Sequence, residues 1–227
     1  MTQSLSLDMR RNMILGQLFT NEIRNKDIFS AMVNVPREAF VPEMLHGAAY
    51  VDEDLFMGNG RYLLAPLTFA RLLDLAEITP SCRVLNIGCH TGYSAAVLAR
   101  LSAMVVATDT DSSALEQARL HLNHMRVTNV TLQPVKALPD GYAPAAPYDV
   151  ILINGAINFI SEPLAAQLAP GGRLVCVRNV ASRPGVKAGL GKGLLIKRID
   201  QKLQYREYFD AGCALLPGFE QGESFTF

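Results

Sequence analysis

The sequence has no surplus of charge of either sign. Lys and Arg together number 21, Asp and Glu together number 21, and the formal net charge of the 227 residues at pH 7 is zero. Proteins that bind nucleic acid or an anionic membrane over a broad surface generally carry a basic surplus. We therefore expect neither of these partners, and we expect the substrate to bind in a pocket.

Cysteine is scarce, and long apolar runs are missing. The N-terminal stretch lacks the apolar region of a signal peptide, and no run approaches the roughly 18 apolar residues of a membrane-spanning helix. These absences predict a cytoplasmic protein with reduced thiols and no bound metal. The cysteines show no metal-ligand spacing; they are Cys82, Cys89, Cys176 and Cys213.

Hydrophobic residues, by contrast, are abundant and make up 49% of the chain. A chain of this length and composition can bury a large core, which predicts one domain of the α/β class. The sequence contains no internal repeat and no low-complexity segment.

The clearest pattern lies in residues 84–99, VLNIGCHTGYSAAVLA. An apolar strand leads into a turn that contains Gly88 and Gly92, and Tyr93 begins the apolar face of a helix. Glycine permits a close approach of the backbone to a ligand, and such a turn is the usual ligand site of an open α/β sheet. The dinucleotide fingerprint G-x-G-x-x-G is missing, because three residues separate these two glycines.

A second apolar strand, Met104 to Thr108, ends at Asp109, twenty-one residues after Gly88. An acid in this place can accept hydrogen bonds from two ribose hydroxyls, which would make the ligand an adenosine moiety. Alternatively, Asp109 simply begins the loop before a helix at Asp111. These residues alone leave both interpretations open.

Periodicity and turn signals predict the remaining elements. The stretch over residues 36–63 is long for a loop, and loops of that length are usually functional. In chain order we expect a helix over residues 8–24 with Leu15, Phe19 and Ile23 on one face, a short helix capped by Asp27 and ending near Asn34, the irregular stretch, a helix that begins at Pro66, a helix from Asp111 to about Met125, strands over 129–133, 150–153 and 173–177 with a turn at Gly171-Gly172, and a helix over 162–168.

The C-terminal part is rich in glycine and locally basic. Residues 185–193 are predicted to form a hairpin tip, because they contain too much glycine for a helix. Residues 183–202 contain six basic residues and one acid, which is typical of a solvated face. We expect the tail to pack back on the body through Phe219, Phe225 and Phe227.

Several motifs occur together in one order. Their order and spacing over residues 10–178 resemble those of the protein-L-isoaspartate O-methyltransferase family. The motifs are VPREAFVP at 35–42, AYVD at 49–52, LLAP at 63–66, the glycine-turn stretch at 84–99, PYDVILINGA at 147–156 and QLAPGGRLV at 167–175.

The resemblance implies a Rossmann-like methyltransferase fold, with a mostly parallel, doubly wound sheet, N-terminal helices and a C-terminal antiparallel hairpin. One domain would then comprise N-terminal helices and a substrate-side loop (1–63), a cofactor-binding core (64–178), and the hairpin and tail (179–227). It further implies that S-adenosylmethionine binds over the turn at Gly88. The methyl acceptor would be a carboxylate of an abnormal aspartyl residue in a damaged protein or peptide, which is a protein-repair activity.

The resemblance also assigns site residues. On the cofactor side they are Asn86, Gly88, His90, Gly92, Tyr93, Asp109 and Ala137. On the substrate side they are Tyr50, Leu64, Ala65 and Pro66.

The chain departs from the family pattern at four places. Leu64 stands where the family has a serine that helps to hold the substrate carboxylate, so no catalytic residue is assigned. Asn86 replaces an acid, and His90 replaces the middle glycine of the glycine loop. Residues 136–138, Lys-Ala-Leu, align with a Gly-Asp-Gly that contacts adenine. These changes predict weakened cofactor binding.

Histidine allows two interpretations at position 90. Because histidine titrates near neutrality, His90 is a candidate for catalysis or for substrate binding. Alternatively, it is a tolerated replacement of a glycine. His121 and His124 share a predicted helix face without an acid or cysteine to complete a metal set, and we expect both to lie on the surface.

Methyl transfer to a protein carboxylate is the leading functional hypothesis. The first alternative is a non-catalytic relative that uses the site, or the Phe-rich tail, to bind another protein. The second is a methyltransferase that acts on a small molecule. Nothing in these motifs predicts an oligomeric state.

Overall fold

Strands form the centre of the protein. A computed structural model describes residues 3–179, 189–200 and 202–220. The strands of these ranges are β1 (Leu55–Gly58), β2 (Arg61–Leu63), β3 (Arg83–Ile87), β4 (Met104–Asp109), β5 (Val130–Pro134), β6 (Tyr148–Ile157), β7 (Leu168–Asn179), β8 (Gly189–Ile199) and β9 (Lys202–Cys213).

Seven of the strands form one sheet in the order β5-β4-β3-β6-β7-β8-β9. The pairs from β5 to β7 are parallel, whereas β8 and β9 are antiparallel to their neighbours. The predicted mostly parallel sheet with a C-terminal antiparallel hairpin is therefore confirmed. A separate two-stranded sheet pairs β1 with β2.

Helices and short turns cover the sheet. Within the described ranges, none of the helices is long and apolar enough to span a membrane. The helices are α1 (Gln3–Met13), α2 (Lys26–Val33), α3 (Pro66–Ala76), α4 (Tyr93–Leu98), α5 (Ser112–His124) and α6 (Glu162–Ala165).

The central strands are buried on both faces because their residues are apolar almost without interruption. Val84 and Val150 belong to the core on one face of the sheet. Leu85, Ile87 and Ile151 belong to the core on the other face. Because β3 and β6 pair in parallel, the carboxyl ends of both strands lie at the same edge of the sheet.

A π turn over Ile14–Leu18 interrupts the first helix, which was predicted to run to residue 24. The turn changes the angular spacing of the side chains. Leu15 is 62% exposed and Phe19 is 48% exposed, whereas Leu18 is buried. The predicted inner face of Leu15 and Phe19 is therefore wrong.

The N-cap of the second helix lies two residues before the predicted cap, Asp27. The Oδ1 atom of Asn25 accepts hydrogen bonds from the backbone N–H groups of Asp27, at 3.0 Å, and Ile28, at 3.3 Å. Asn25 is therefore the N-cap, and Asp27 lies in the first turn, where its charge suits the helix dipole. The helix ends at Asn34, as predicted.

The stretch 36–63, which was predicted to be irregular, contains two 3₁₀ turns and the β1–β2 hairpin. The hairpin turns at Asn59 and Gly60, which have φ values of 50° and 70°. Asn-Gly is the preferred pair for such a turn, so the sequence signal for this hairpin was present.

The later elements differ in length from the predictions. β6 has ten residues and β7 has twelve, and Gly171-Gly172 lies within β7. The helix predicted over 162–168 is a single turn, α6, because β7 already begins at Leu168. Of the predicted hairpin tip, residues 189–193 belong to β8, and residues 185–188 lie outside the described part of the chain.

The segment after β9 returns to the end of β6. Ala156 donates a backbone hydrogen bond to Ala214, at 2.9 Å, and accepts one from Leu216, at 2.8 Å. Phe219 is fully buried, with its ring centroid 5.7 Å from that of Phe159, as the packing prediction requires. Phe225 and Phe227 lie outside the described residues.

Gly92 is a position where the fold requires glycine. Its φ is 94°, and a Cβ atom there would lie 2.9 Å from the Cβ of Ala118 in α5. We expect Gly92→Ala to lower the free energy of unfolding by about 1–3 kcal/mol, because of overpacking and backbone strain. Urea unfolding measures this loss.

Gly47→Ala is the matched control, since a Cβ at Gly47 meets nothing within 4 Å. It should leave the free energy of unfolding within about 0.5 kcal/mol of wild type. Equal losses for the two variants would contradict the packing argument.

Candidate functional site

The turn after β3 brings the predicted glycine loop to the end of β4. The backbone N–H groups of Gly88 and Cys89 both donate to the carbonyl oxygen of Thr108, at 2.9 and 3.1 Å. His90 has a φ of 45°, in the left-handed region where a residue with a Cβ is strained. Its N–H donates to Oδ2 of Asp109, at 2.7 Å. The loop and Asp109 thus form one hydrogen-bonded unit.

Asp109 is fully buried and its carboxylate is already surrounded by donors. Besides His90, the backbone N–H groups of Thr110 and Asp111 donate to its Oδ1 atom, at 2.8 and 3.2 Å. The prediction that Asp109 binds ribose hydroxyls stays a prediction, because the donors in this structure come from the protein itself.

The charge of Asp109 is balanced by Arg61, a residue that the sequence analysis did not single out. Nη1 of Arg61 lies 3.1 Å from Oδ1 and Nη2 lies 2.9 Å from Oδ2, so the pair is bidentate. The side chains are 5% and 0% exposed. Nothing in the sequence pattern connects residues 48 positions apart, so only the folded hairpin could have shown this pair.

A small cavity lies beside the loop. It is bordered by Leu64, Gly88, His90 and Tyr93, which were predicted site residues, and also by Arg37. Its volume is about 20 Å³, which is room for about one water molecule. The structure therefore brings cofactor-side and substrate-side residues together around a small space.

Buried polar atoms without a hydrogen-bond partner of good geometry border this cavity. They are Nη1 of Arg37, Nδ1 of His90 and the hydroxyl oxygen of Tyr93. Arg37 is fully buried, and its Nε donates to the carbonyl oxygen of Ala49 at 2.7 Å. Burial lowers the pKa of Arg37 and raises the pKa of Tyr93. The cavity wall thus offers polar groups that a bound molecule could satisfy.

The residues present do not fit S-adenosylmethionine in this conformation. An adenosyl group would need the carboxylate of Asp109 and the open face of Gly88. Arg61 takes the carboxylate, and a Cβ on Gly88 would lie 2.9 Å from Nη2 of Arg61. The carboxylate of Asp109 and the face of Gly88 are therefore covered by the chain itself.

Two predicted substrate-side residues serve local structure. The hydroxyl of Tyr50 donates to Glu38, and burial raises the pKa of Tyr50. The backbone N–H of Ala65 donates to Oδ1 of Asp54, at 2.7 Å. These bonds fix the chain on either side of the β1–β2 hairpin.

The other predicted residues are placed as follows. Pro66 is the first residue of α3, as expected from its sequence position. Asn86 is fully buried in β3 and Gly92 caps α4. Ala137 begins the 3₁₀ turn Leu138–Asp140, outside the lining of the cavity.

The prediction for His121 is wrong, because its ring is half-buried. Its Nδ1 lies 3.0 Å from the carbonyl oxygen of Thr91, and its ring centroid lies 4.9 Å from that of Phe40. The packing of α5 against the glycine loop covers this face of the helix. His124, one turn further along, is exposed as predicted.

Comparison with known proteins defines the class and then the family. The fold resembles two solved structures: a protein-L-isoaspartate O-methyltransferase (TM-score 0.77, 23% identity, covering 92% of this chain and 66% of that one) and a Plasmodium falciparum relative in complex with S-adenosyl-L-homocysteine (TM-score 0.72, 16% identity, covering 94% and 98%). The fold is thus that of the S-adenosylmethionine-dependent methyltransferases. This chain spans slightly less than two thirds of the first of those structures.

Sequence comparison identifies the family. Residues 9–183 match the model of protein-L-isoaspartate(D-aspartate) O-methyltransferase. The chain is 38% identical over 166 residues to the protein-L-isoaspartate O-methyltransferase of Koribacter versatilis, covering 73% of this chain and 74% of that protein. It is 40% identical over 171 residues to that of Methylorubrum extorquens, covering 74% and 73%. The chain belongs to the protein-L-isoaspartate O-methyltransferase family.

The burial of His90 makes the free energy of unfolding depend on pH. Burial first, and the charge of Arg61 second, lower the pKa of His90. Below about pH 6.5 the unfolded chain therefore takes up a proton that the folded site resists, and stability is lost as the pH falls. We expect wild type to lose more unfolding free energy between about pH 8 and about pH 5.5 than His90→Asn, whose side chain tolerates the positive φ. Urea unfolding at both pH values measures the difference.

His124→Gln serves as the control for this experiment, because His124 is exposed. It should lose as much free energy as wild type over the same pH interval. If His90→Asn behaves in the same way as His124→Gln, then the imidazole of His90 is not held neutral by its surroundings.

Proposed function

We propose that this protein transfers a methyl group from S-adenosylmethionine to a carboxylate of isoaspartyl residues in damaged proteins or peptides. The observation that carries the proposal is the match of residues 9–183 to the family model, which includes the glycine loop and Asp109. Relatives named for this activity are 38% and 40% identical over about three quarters of the chain.

Methylation of a carboxylate requires little acid–base catalysis from the protein. A carboxylate with a pKa of about 4 is already ionised at neutral pH, so its methylation needs no general base. Positioning of the acceptor then supplies most of the rate, and a misplacement of about 1 Å can cost ~10²-fold. Residues that orient the acceptor therefore matter more than residues that move protons.

The wall of the cavity suits an anionic acceptor. Leu64 contributes no hydroxyl there, but its carbonyl oxygen accepts a hydrogen bond from Nη2 of Arg37. The neighbouring Nη1 atom of the same guanidinium group has no partner of good geometry. We assign Arg37 as the group that attracts the acceptor carboxylate, because a guanidinium N–H binds a carboxylate well.

A second candidate function is binding without catalysis, and the pairing of Asp109 with Arg61 favours it. A relative that has lost methyl transfer could keep the fold and use its surface to hold another protein. Binding of S-adenosylhomocysteine in calorimetry distinguishes the two functions, since only a methyltransferase needs that site. We further propose a cytoplasmic location, in keeping with the free cysteines of the described chain.

Methyl incorporation into an isoaspartyl peptide tests the proposed activity directly. The same peptide with a normal aspartyl residue should take up no methyl group above background. We expect Leu64→Ser to raise the rate by about tenfold or less, because a hydroxyl adds one hydrogen bond worth roughly 0.5–1.5 kcal/mol.

Leu64→Ala is the matched control, since it removes the same bulk without adding a hydroxyl. It should not raise the rate. If the wild-type protein methylates neither peptide, then the proposed activity is wrong; if Leu64→Ala accelerates methylation as much as Leu64→Ser, then space and not the hydroxyl limits the reaction.

A further inference from the structure

Arg61 reaches the glycine loop from outside the main sheet. It is the first residue of β2, in the two-stranded hairpin that is separate from the seven-stranded sheet. Its guanidinium group nevertheless lies against Asp109 at the end of β4, buried to 5% exposure. One side chain therefore joins the hairpin to the carboxyl edge of the parallel strands.

The guanidinium group satisfies both oxygens of Asp109 with two parallel N–H donors, at 2.9 and 3.1 Å. Two neighbouring ribose hydroxyls would also present two hydrogen-bond donors to this carboxylate. A bidentate pair between arginine and a carboxylate is a strong and geometrically specific contact. Arg61 thus competes for the atoms that an adenosyl ligand would need.

Leu216 closes the same space from the C-terminal side. A Cβ on Gly88 would lie 3.1 and 3.2 Å from the two methyl carbons of Leu216, and 2.9 Å from Nη2 of Arg61. Leu216 is held there by its backbone hydrogen bond to Ala156, at 2.8 Å. The face of Gly88 that glycine leaves open is therefore in contact with two side chains of the protein itself.

Both contacts resist the entry of a ligand. Separating Arg61 from Asp109 breaks two charge-assisted hydrogen bonds in a buried place, which is unfavourable unless the ligand replaces the lost contacts. The hairpin can shift without breaking a backbone hydrogen bond between strands of the main sheet, because β1 and β2 pair only with each other within the described residues. Opening of the site therefore calls for a local movement and not for unfolding.

We propose that Arg61, with Leu216, occludes the adenosyl side of the site, so that an adenosyl ligand binds only after Arg61 leaves Asp109. This inference rests on the proposed function, since it concerns access of that cofactor. Arg61 then controls access: the apparent affinity equals the affinity of the open state multiplied by the fraction of molecules that are open. A substitution that removes the guanidinium should raise that fraction.

Calorimetric titration of the full chain with S-adenosylhomocysteine tests the occlusion. Arg61→Gln keeps a polar side chain and removes the charge. We expect it to lower the dissociation constant by about tenfold or more, which is about 1.4 kcal/mol. Arg119→Gln is the matched control, because Arg119 forms an exposed ion pair with Glu116. It should bind as wild type does.

A second variant and a second measurement test the occlusion even if Arg61→Gln does not fold. Leu216→Ala leaves the ion pair intact, and it should also tighten binding, by a smaller factor. In wild type, saturating S-adenosylhomocysteine should increase hydrogen–deuterium exchange of the hairpin amides over residues 55–63. Circular dichroism melting curves show whether each variant is folded.

The outcomes separate this inference from the proposed function. The occlusion is refuted if folded Arg61→Gln binds no tighter than wild type, if it binds more weakly, or if no variant binds at all. Methyl incorporation into the isoaspartyl peptide judges the function independently. Tighter ligand binding by Arg61→Gln, with no methyl transfer by either the wild type or the variant, supports the occlusion and refutes the activity. A wild type that methylates the peptide, while Arg61→Gln shows no gain in binding, supports the activity and refutes the occlusion.

Discussion

A buried ion pair between Arg61 and Asp109 holds together three parts of the chain that are distant in sequence. The β1–β2 hairpin contributes the guanidinium group, the end of β4 contributes the carboxylate, and the glycine loop donates the N–H of His90 to the same carboxylate. A charge buried without its partner is strongly destabilising, whereas a fully hydrogen-bonded pair is tolerated in the interior. This contact therefore links the conformation of the loop to the position of the hairpin.

A neutral network lies beside the pair, at the position where the family has an acid. The side-chain amide of Asn86 donates to Oγ of Ser94 at 2.8 Å, and its oxygen accepts from Nδ2 of Asn154. Asn154 also donates to the carbonyl oxygen of Ile87, at 3.0 Å. Because an amide both donates and accepts, these groups satisfy one another within the protein. The network and the ion pair thus satisfy part of the site within the protein, whereas the polar atoms that border the cavity lack partners of good geometry.

Short-range patterns of the sequence predicted much of the architecture. Strands β3 and β4, the helix that follows Asp111 and the start of α3 at Pro66 follow from apolar runs and from single residues with strong backbone preferences. The β1–β2 hairpin carried a clear signal in Asn59-Gly60, although residues 36–63 were predicted to be irregular. The side-chain register of the N-terminal helix could not be predicted, because the π turn at Ile14–Leu18 is imposed by packing and has no periodic signature.

The sequence by itself determined the class of fold, the family, and which residues would meet at the carboxyl ends of β3 and β4. These follow from local composition and from motifs that are contiguous in the chain. Only the tertiary structure decided what those residues contact: that Asp109 is paired with Arg61, 48 positions earlier, and that Leu216 covers Gly88 from the far end of the chain. The physical reason is that a buried charge pairs with whichever group the fold brings within about 3 Å, and the open face of a glycine is covered in the same way. Neither contact depends on how far apart the residues are in the sequence.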